Sequence, residues 1–263
     1  MTAKYQCKRL LGSGSFGNVF LARKGGKCYA IKKVINAELN TARREIAVLQ
    51  RVNHSNIIKY HGHYIERGVF CLVLEYADRG TLKDAMRRAG PNPWTETDVW
   101  MFITQMSRAL NYLHSMSPPI LHRDLKPDNI LGVNKPVGPG GGRQMFSWKL
   151  ADFGVARILT QEAQTAYFED NNPAVAIYRA PEVLRHENYT AASDMWSLGC
   201  VIAFVTNKGR PLFECKGDVL RYSGNYFVKE FAAVLRGVFY RLLRVCSSIW
   251  GKIYLFNKPF FIP

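Results

Sequence analysis

The chain has 263 residues, with 36 Lys and Arg against 20 Asp and Glu, a formal charge of +16 and a pI of about 9.7. Its 48% hydrophobic and 21% charged shares are those of a globular chain and exclude a mostly disordered one. No charge-free apolar run approaches the ~20 residues of a bilayer span, and the first residues lack the apolar core of a signal peptide.

The cysteines are dispersed and form no C-x-x-C pair, so reduced thiols in a cytoplasmic protein, with the nucleus as a second address, are expected. Residues 201–263 hold ten Lys/Arg and three Asp/Glu, which places +7 of the net charge there. Such an excess suits nucleic acid, a membrane surface, acidic substrates or a merely solvated face, and charge alone does not choose.

In chain order, Gly12-Ser13-Gly14-Ser15-Phe16-Gly17-Asn18-Val19 is a G-x-G-x-x-G-x-V loop. Glycines let backbone amides approach phosphate oxygens that a Cβ would block. The pattern also opens dinucleotide-binding helices and occurs in ordinary glycine turns. Here, however, strand-like runs follow it, Val19 to Arg23 and Cys28 to Val34, joined by the turn signal Lys24-Gly25-Gly26-Lys27. A Gly-Lys-Ser/Thr end, which a Walker A loop needs, is absent.

Lys32, in Ala30-Ile31-Lys32, can reach phosphates beneath the loop if a carboxylate holds it extended. From Asn36, a candidate N-cap, Leu39, Ala42, Ile46 and Leu49 fall at helical spacing, and Glu45 on that helix is the candidate partner. Val69 to Leu74 is a further strand, closed by Asp78-Arg79-Gly80. His61-Gly62-His63 has the look of a metal pair, but isolated pairs of this kind are seldom sites.

Beyond Pro93 the character turns helical. Thr95-Glu96-Thr97-Asp98 has capping-box spacing, and Val99, Phe102, Ile103, Met106, Leu110 and Leu113 share one face up to the Pro118-Pro119 stop. Residues 132–142 read as a glycine-rich loop, and Asp194 to Val205 as a buried helix. Between them stand Asp124, Asn129 five residues later, and Asp152 in Lys149-Leu150-Ala151-Asp152-Phe153-Gly154. Magnesium prefers hard oxygen ligands, which Asn129 and Asp152 can supply beside nucleotide phosphates, leaving Asp124 to accept the proton of an incoming hydroxyl.

The ordered set resembles the eukaryotic protein kinase family over roughly residues 5–213. Gly12, Gly14, Gly17 and Val19 match its glycine-rich loop, Ala30 and Lys32 its lysine strand, and Glu45 its helix partner. His122-Arg123-Asp124 with Asn129 match its catalytic loop, and Asp152-Phe153-Gly154 its metal motif. Ala180-Pro181-Glu182 and the stretch from Ser193 to Gly199 match its substrate-side anchors.

The resemblance implies an α+β, two-lobed fold: a β-rich lobe over 1–77, a mainly helical lobe over 78–213, and a divergent basic and apolar segment over 214–263. It implies ATP and Mg²⁺, protein substrates and no specific nucleic acid. The hinge backbone near Glu75, Tyr76 and Ala77 would contact the nucleotide, with Leu74 at the back of the pocket. Asp124, Lys126 and Asn129 would be catalytic, Lys126 marking the serine/threonine-specific branch, and Asn129 and Asp152 would hold the metal. His122, Phe153 and Leu49 resemble the packed spine, which makes His122 a core residue. Tyr76 to Leu82 is faintly similar to NIMA-related kinases.

Some features depart from the family. Val175 stands where a threonine usually bridges the catalytic aspartate and lysine, the arginine that usually pairs with Glu182 is missing, and the 132–147 connection is long. A catalytically impaired, kinase-like binding or scaffold module is therefore the alternative to an active enzyme. Residues 231–256, apolar but for Arg236, Arg241, Arg244 and Lys252, suit either helices closing the core or a weak contact with anionic membrane. Arg123 is the expected holder of an activation-segment phosphate, yet no Ser or Thr lies between Thr165 and Thr190, and Glu169 and Asp170 occupy that neighbourhood.

Overall fold

Alternating strand-forming residues around tight turns build the N-terminal part of the protein, whose computed structural model describes residues 5–14, 17–34, 39–89, 94–134, 146–159 and 173–221. Strands β1 (Gln6–Gly14), β2 (Gly17–Lys24), β3 (Lys27–Val34), β4 (Tyr60–Glu66) and β5 (Val69–Glu75) form one antiparallel sheet in the order β1-β2-β3-β5-β4. The β2–β3 turn works because Gly25 and Gly26 take φ of +56° and +76°, the left-handed pair that matches strand twist. Helix α1 (Leu39–Leu49) packs Ala42 and Ile46 with Val34 and Leu72 on one face of the sheet. The opposite face has its own small core of Ala22, Ile31, Cys71 and Val73, covered by Tyr5, Tyr29 and Tyr64. The predicted N-cap Asn36 lies outside the described residues.

Helix α2 (Leu82–Ala89) follows the short strand β6 (Gly80–Thr81), and α3 (Glu96–His114) follows the predicted cap. The Thr95 hydroxyl accepts from the Asp98 amide at 3.2 Å, and Asp98 accepts back from the Thr95 amide at 3.0 Å. The six apolar α3 residues named above are all buried. Truncating a fully buried one, such as Leu110, to Ala would cost about 2–5 kcal/mol.

Strands β7 (Ile120–Leu121) and β10 (Arg157–Ile158) pair with each other, while β6, β8 (Ile130–Asn134) and β9 (Phe146–Leu150) form a three-stranded sheet. Of the glycine-rich loop predicted over 132–142, residues 132–134 complete β8, and the remainder falls outside the described residues.

The chain divides into two compact units, Met1–Ala85 with Thr104–Thr160, and Met86–Ile103 with Gln161–Pro263. The described part of the second carries the short helices α4 (Pro173–Ala176), α5 (Pro181–Leu184) and α7 (Lys216–Arg221) and the long α6 (Ala191–Thr206). Helix α6 is buried from Ser197 through Val205 and starts with a capping box between Thr190 and Ser193. Glu182, whose usual arginine partner the sequence lacks, is half-buried, and its Oε1 accepts from Ser193 Oγ at 2.7 Å. The capping box places that hydroxyl beside the carboxylate. Residues 231–256, Glu169 and Asp170 lie outside the described residues. Among the described residues no helix is long and apolar enough to cross a membrane.

Candidate active site

Every residue of the site lies in the first unit. Pairing of β2 with β3 sets Val19 opposite Lys32, and Ala30 lies opposite Leu74 on β5. Gly17 is required by the sheet itself, because a Cβ there would stand 2.1 Å from the Lys33 carbonyl oxygen. Gly12 has open space where a Cβ would point, the condition for a close-approaching ligand.

Lys32 Nζ donates to Glu45 Oε2 at 2.7 Å and to Asp152 Oδ1 at 3.0 Å. The Lys32 and Glu45 side chains are 8% and 2% exposed, so this ion pair is buried, as the α1 stripe predicted. Burial alone would lower the pKa of Lys32; the charges of Asp152 and Glu45 more than reverse this and hold the ammonium above its ordinary range. Burial pushes the Glu45 carboxyl up, with Lys32 opposing. For Asp152, packing would raise the pKa, but Lys32 and the Gly154 amide hold it below its usual value.

A 3-10 turn over Pro127–Asn129 folds Asn129 back onto Asp124. The Asn129 amide nitrogen donates to the Asp124 carbonyl at 2.9 Å and to its Oδ2 at 2.7 Å, and Lys126 Nζ donates to the same Oδ2 at 2.7 Å. Asp124 and Lys126 therefore meet directly. Val175, where the threonine bridge was expected, is a buried apolar residue of the second unit. Burial raises the Asp124 pKa, and Lys126 only partly offsets it.

The Ala151 amide donates to the Asn129 carbonyl at 2.9 Å, tying the asparagine to the strand end that carries Asp152. Asp152 and Arg123 hold φ of +62° and +70°, and such left-handed non-glycine residues cost roughly 1–3 kcal/mol each. Arg123 is buried and its Nη1 donates to the Val155 carbonyl at 3.4 Å.

His122 is a fully buried core residue, its ring 4.9 Å from that of Phe153. Its Nδ1 accepts from the Asp124 amide at 3.3 Å, so Nε2 carries the proton and donates to the Ala151 carbonyl at 3.1 Å. His61 and His63 lie on β4 and are exposed, and among the described residues no group of three or more His, Cys, Asp or Glu side chains gathers around a metal site.

Two features escaped the sequence reading. Helix α2 is capped by Thr81, whose hydroxyl accepts from the Asp84 amide at 3.0 Å; the T-x-x-D spacing was a usable signal. Glu75, expected only as a hinge residue, also pairs through its carboxylate with Lys149 at 3.0 Å. No local spacing joins two residues so far apart in the chain.

The donor set fits a divalent ion beside phosphates. With its amide nitrogen bonded to Asp124, Asn129 has its amide oxygen to offer, and Asp152 adds an ionised carboxylate that is 31% exposed.

Residues 5–229 match the family model described as protein kinase domain. The chain is 31% identical over 212 residues to the human (Homo sapiens) serine/threonine-protein kinase Nek11, covering 76% of this chain and 30% of that protein. It is 35% identical over 219 residues to mitogen-activated protein kinase kinase kinase 7 of Bos taurus, covering 82% and 35%. It is 33% identical over 212 residues to cell division control protein 7 of Schizosaccharomyces pombe, covering 78% and 18%. The chain thus matches about a third or less of the length of these curated relatives.

Proposed function

The chain belongs to the protein kinase family, and from that premise we propose that it transfers the γ-phosphoryl group of ATP to serine or threonine hydroxyls of proteins. The observation that carries this reading is the assembly, within one unit, of Lys32 between Glu45 and Asp152 beside the Asp124–Lys126–Asn129 cluster.

Lys32, oriented by Glu45, binds phosphate oxygens of the nucleotide beneath the amides of the Gly12–Gly17 loop. The backbone at Glu75 and Ala77 holds the base. Asn129 and Asp152 hold Mg²⁺, which when bound supplies positive charge to the phosphate oxygens. Asp124 orients the substrate hydroxyl and takes its proton as that oxygen bonds to the γ-phosphorus and ADP leaves. Its raised pKa suits a proton acceptor. Lys126, bonded to Asp124, places a positive charge where negative charge develops.

The free cysteines among the described residues fit the cytoplasm or nucleus, as the sequence suggested. The test is transfer of label from γ-labelled ATP to a generic protein substrate, followed by phosphoamino-acid analysis. Wild type should yield phosphoserine or phosphothreonine, and Asp152→Ala should not. Equal transfer in both would leave a binding module.

A further inference from the structure

Glu75 closes β5, and its side chain is engaged from two directions. Its Oε2 accepts from Lys149 Nζ at 3.0 Å and from the Lys59 amide at 3.1 Å, while its own amide donates to the Lys59 carbonyl at 2.8 Å. The segment before β4 is laced in turn to the end of β9. The Ile58 amide donates to the Leu150 carbonyl at 2.9 Å, and the Leu150 amide donates to the Asn56 carbonyl at 2.8 Å.

Lys149 sits on β9, three residues before Asp152. Its side chain is 12% exposed and that of Glu75 is 23% exposed. A lysine laid down this far has given up rotamer freedom that a solvated lysine keeps, so the pair constrains both strand ends.

We infer that Lys149 and Glu75 are a positioning pair that locks the nucleotide-holding end of β5 to the strand carrying Asp152. The base-contacting backbone at Glu75–Ala77 and the metal-holding carboxylate then keep a fixed separation, and a bound nucleotide meets both without reordering either. Neither side chain needs to touch the nucleotide. The inference rests on the proposed nucleotide site for its functional consequence, but the mechanical coupling stands apart from it.

The test is hydrogen exchange together with ADP–Mg²⁺ calorimetry on the full chain as wild type, Lys149→Met, Lys149→Arg and Glu75→Gln. Lys83→Met, at an exposed ion pair with Asp128, is the control. Lys149→Met should speed exchange in 75–79 and 150–153, leave β2 unchanged, and weaken ADP binding roughly tenfold, the scale of a lost charge-assisted hydrogen bond. In turnover, kcat/KM for ATP should fall further than kcat. Lys149→Arg should restore both the exchange and the affinity.

Should Lys149→Met fail to fold, Glu75→Gln carries the test, since its amide oxygen keeps the Lys59 bond while the charge is lost. It should show the same local exchange pattern. Exchange at 75–79 and 150–153 matching that of Lys83→Met would overturn the inference. Wild type that neither binds ADP nor transfers phosphate would overturn the kinase reading, while exchange would still decide the coupling.

Discussion

Asp152, half-buried, and Asp124, buried, each have a lysine within 3.0 Å, yet their pKa values move in opposite directions, Asp152 down and Asp124 up. Packing pushes both upward. Asp152 meets it with the Lys32 charge and the Gly154 amide and stays ionised. Asp124 has Lys126 and the Asn129 amide on one oxygen, and burial prevails. On the proposed reading the contrast separates two tasks. A metal ligand must remain an anion, whereas a proton acceptor must be willing to take a proton. Residue type alone does not divide this labour; the neighbours do.

The largest expected effect comes from removing the cation that makes the two sites differ. Lys32→Met should lower kcat/KM by roughly a hundredfold, the scale for losing one preorganised charge contact. It also leaves Glu45 buried beside Asp152, so urea denaturation should show a stability loss of about 3 kcal/mol. Wild-type turnover and stability in this variant would erase the contrast.

Glu45→Gln is milder. It keeps a hydrogen-bond acceptor for Lys32 but removes the charge that holds it, so turnover should drop roughly tenfold while ADP still binds. Unchanged turnover would mean that Asp152 alone orients the lysine.

Lys83→Met should change least. Lys83 and Asp128 also form an ion pair, at 3.2 Å, but their side chains are 64% and 47% exposed. Surface pairs of this kind are worth ~0–1 kcal/mol, so neither the thermal midpoint nor transfer should move measurably. A large loss would show that distance, and not burial, sets the value of an ion pair in this protein.

The site was legible where its geometry is local. Asn129 follows Asp124 by five residues, and one 3-10 turn is enough to bring them together. Glu45 could be assigned because Ala42, Ile46 and Leu49 fix the buried face of α1, and Glu45 shares it. Strand β4 alternates half-buried Tyr60, Gly62, Tyr64 and Glu66 with exposed His61, His63 and Ile65, so each face mixes polar and apolar residues and composition alone gives no clean period of two. Helix α2 was missed although its cap was present in the residues. The Glu75–Lys149 pair could not have been read, because only the pairing of distant strands brings it about. The Ser193–Glu182 contact was likewise not read: it depends on the α6 cap, which places the Ser193 hydroxyl beside the carboxylate.

The division of labour is tested most directly by measuring ADP affinity with and without Mg²⁺, beside turnover, in Asp124→Asn and Asp152→Asn. Asp124→Asn should keep the Mg²⁺-dependent part of ADP affinity while losing roughly 10²–10⁴ in kcat, the usual contribution of a general base. Asp152→Asn should lose the Mg²⁺-dependent affinity itself. Identical affinity losses in the two variants, or metal dependence that survives in Asp152→Asn and vanishes in Asp124→Asn, would contradict the assignment.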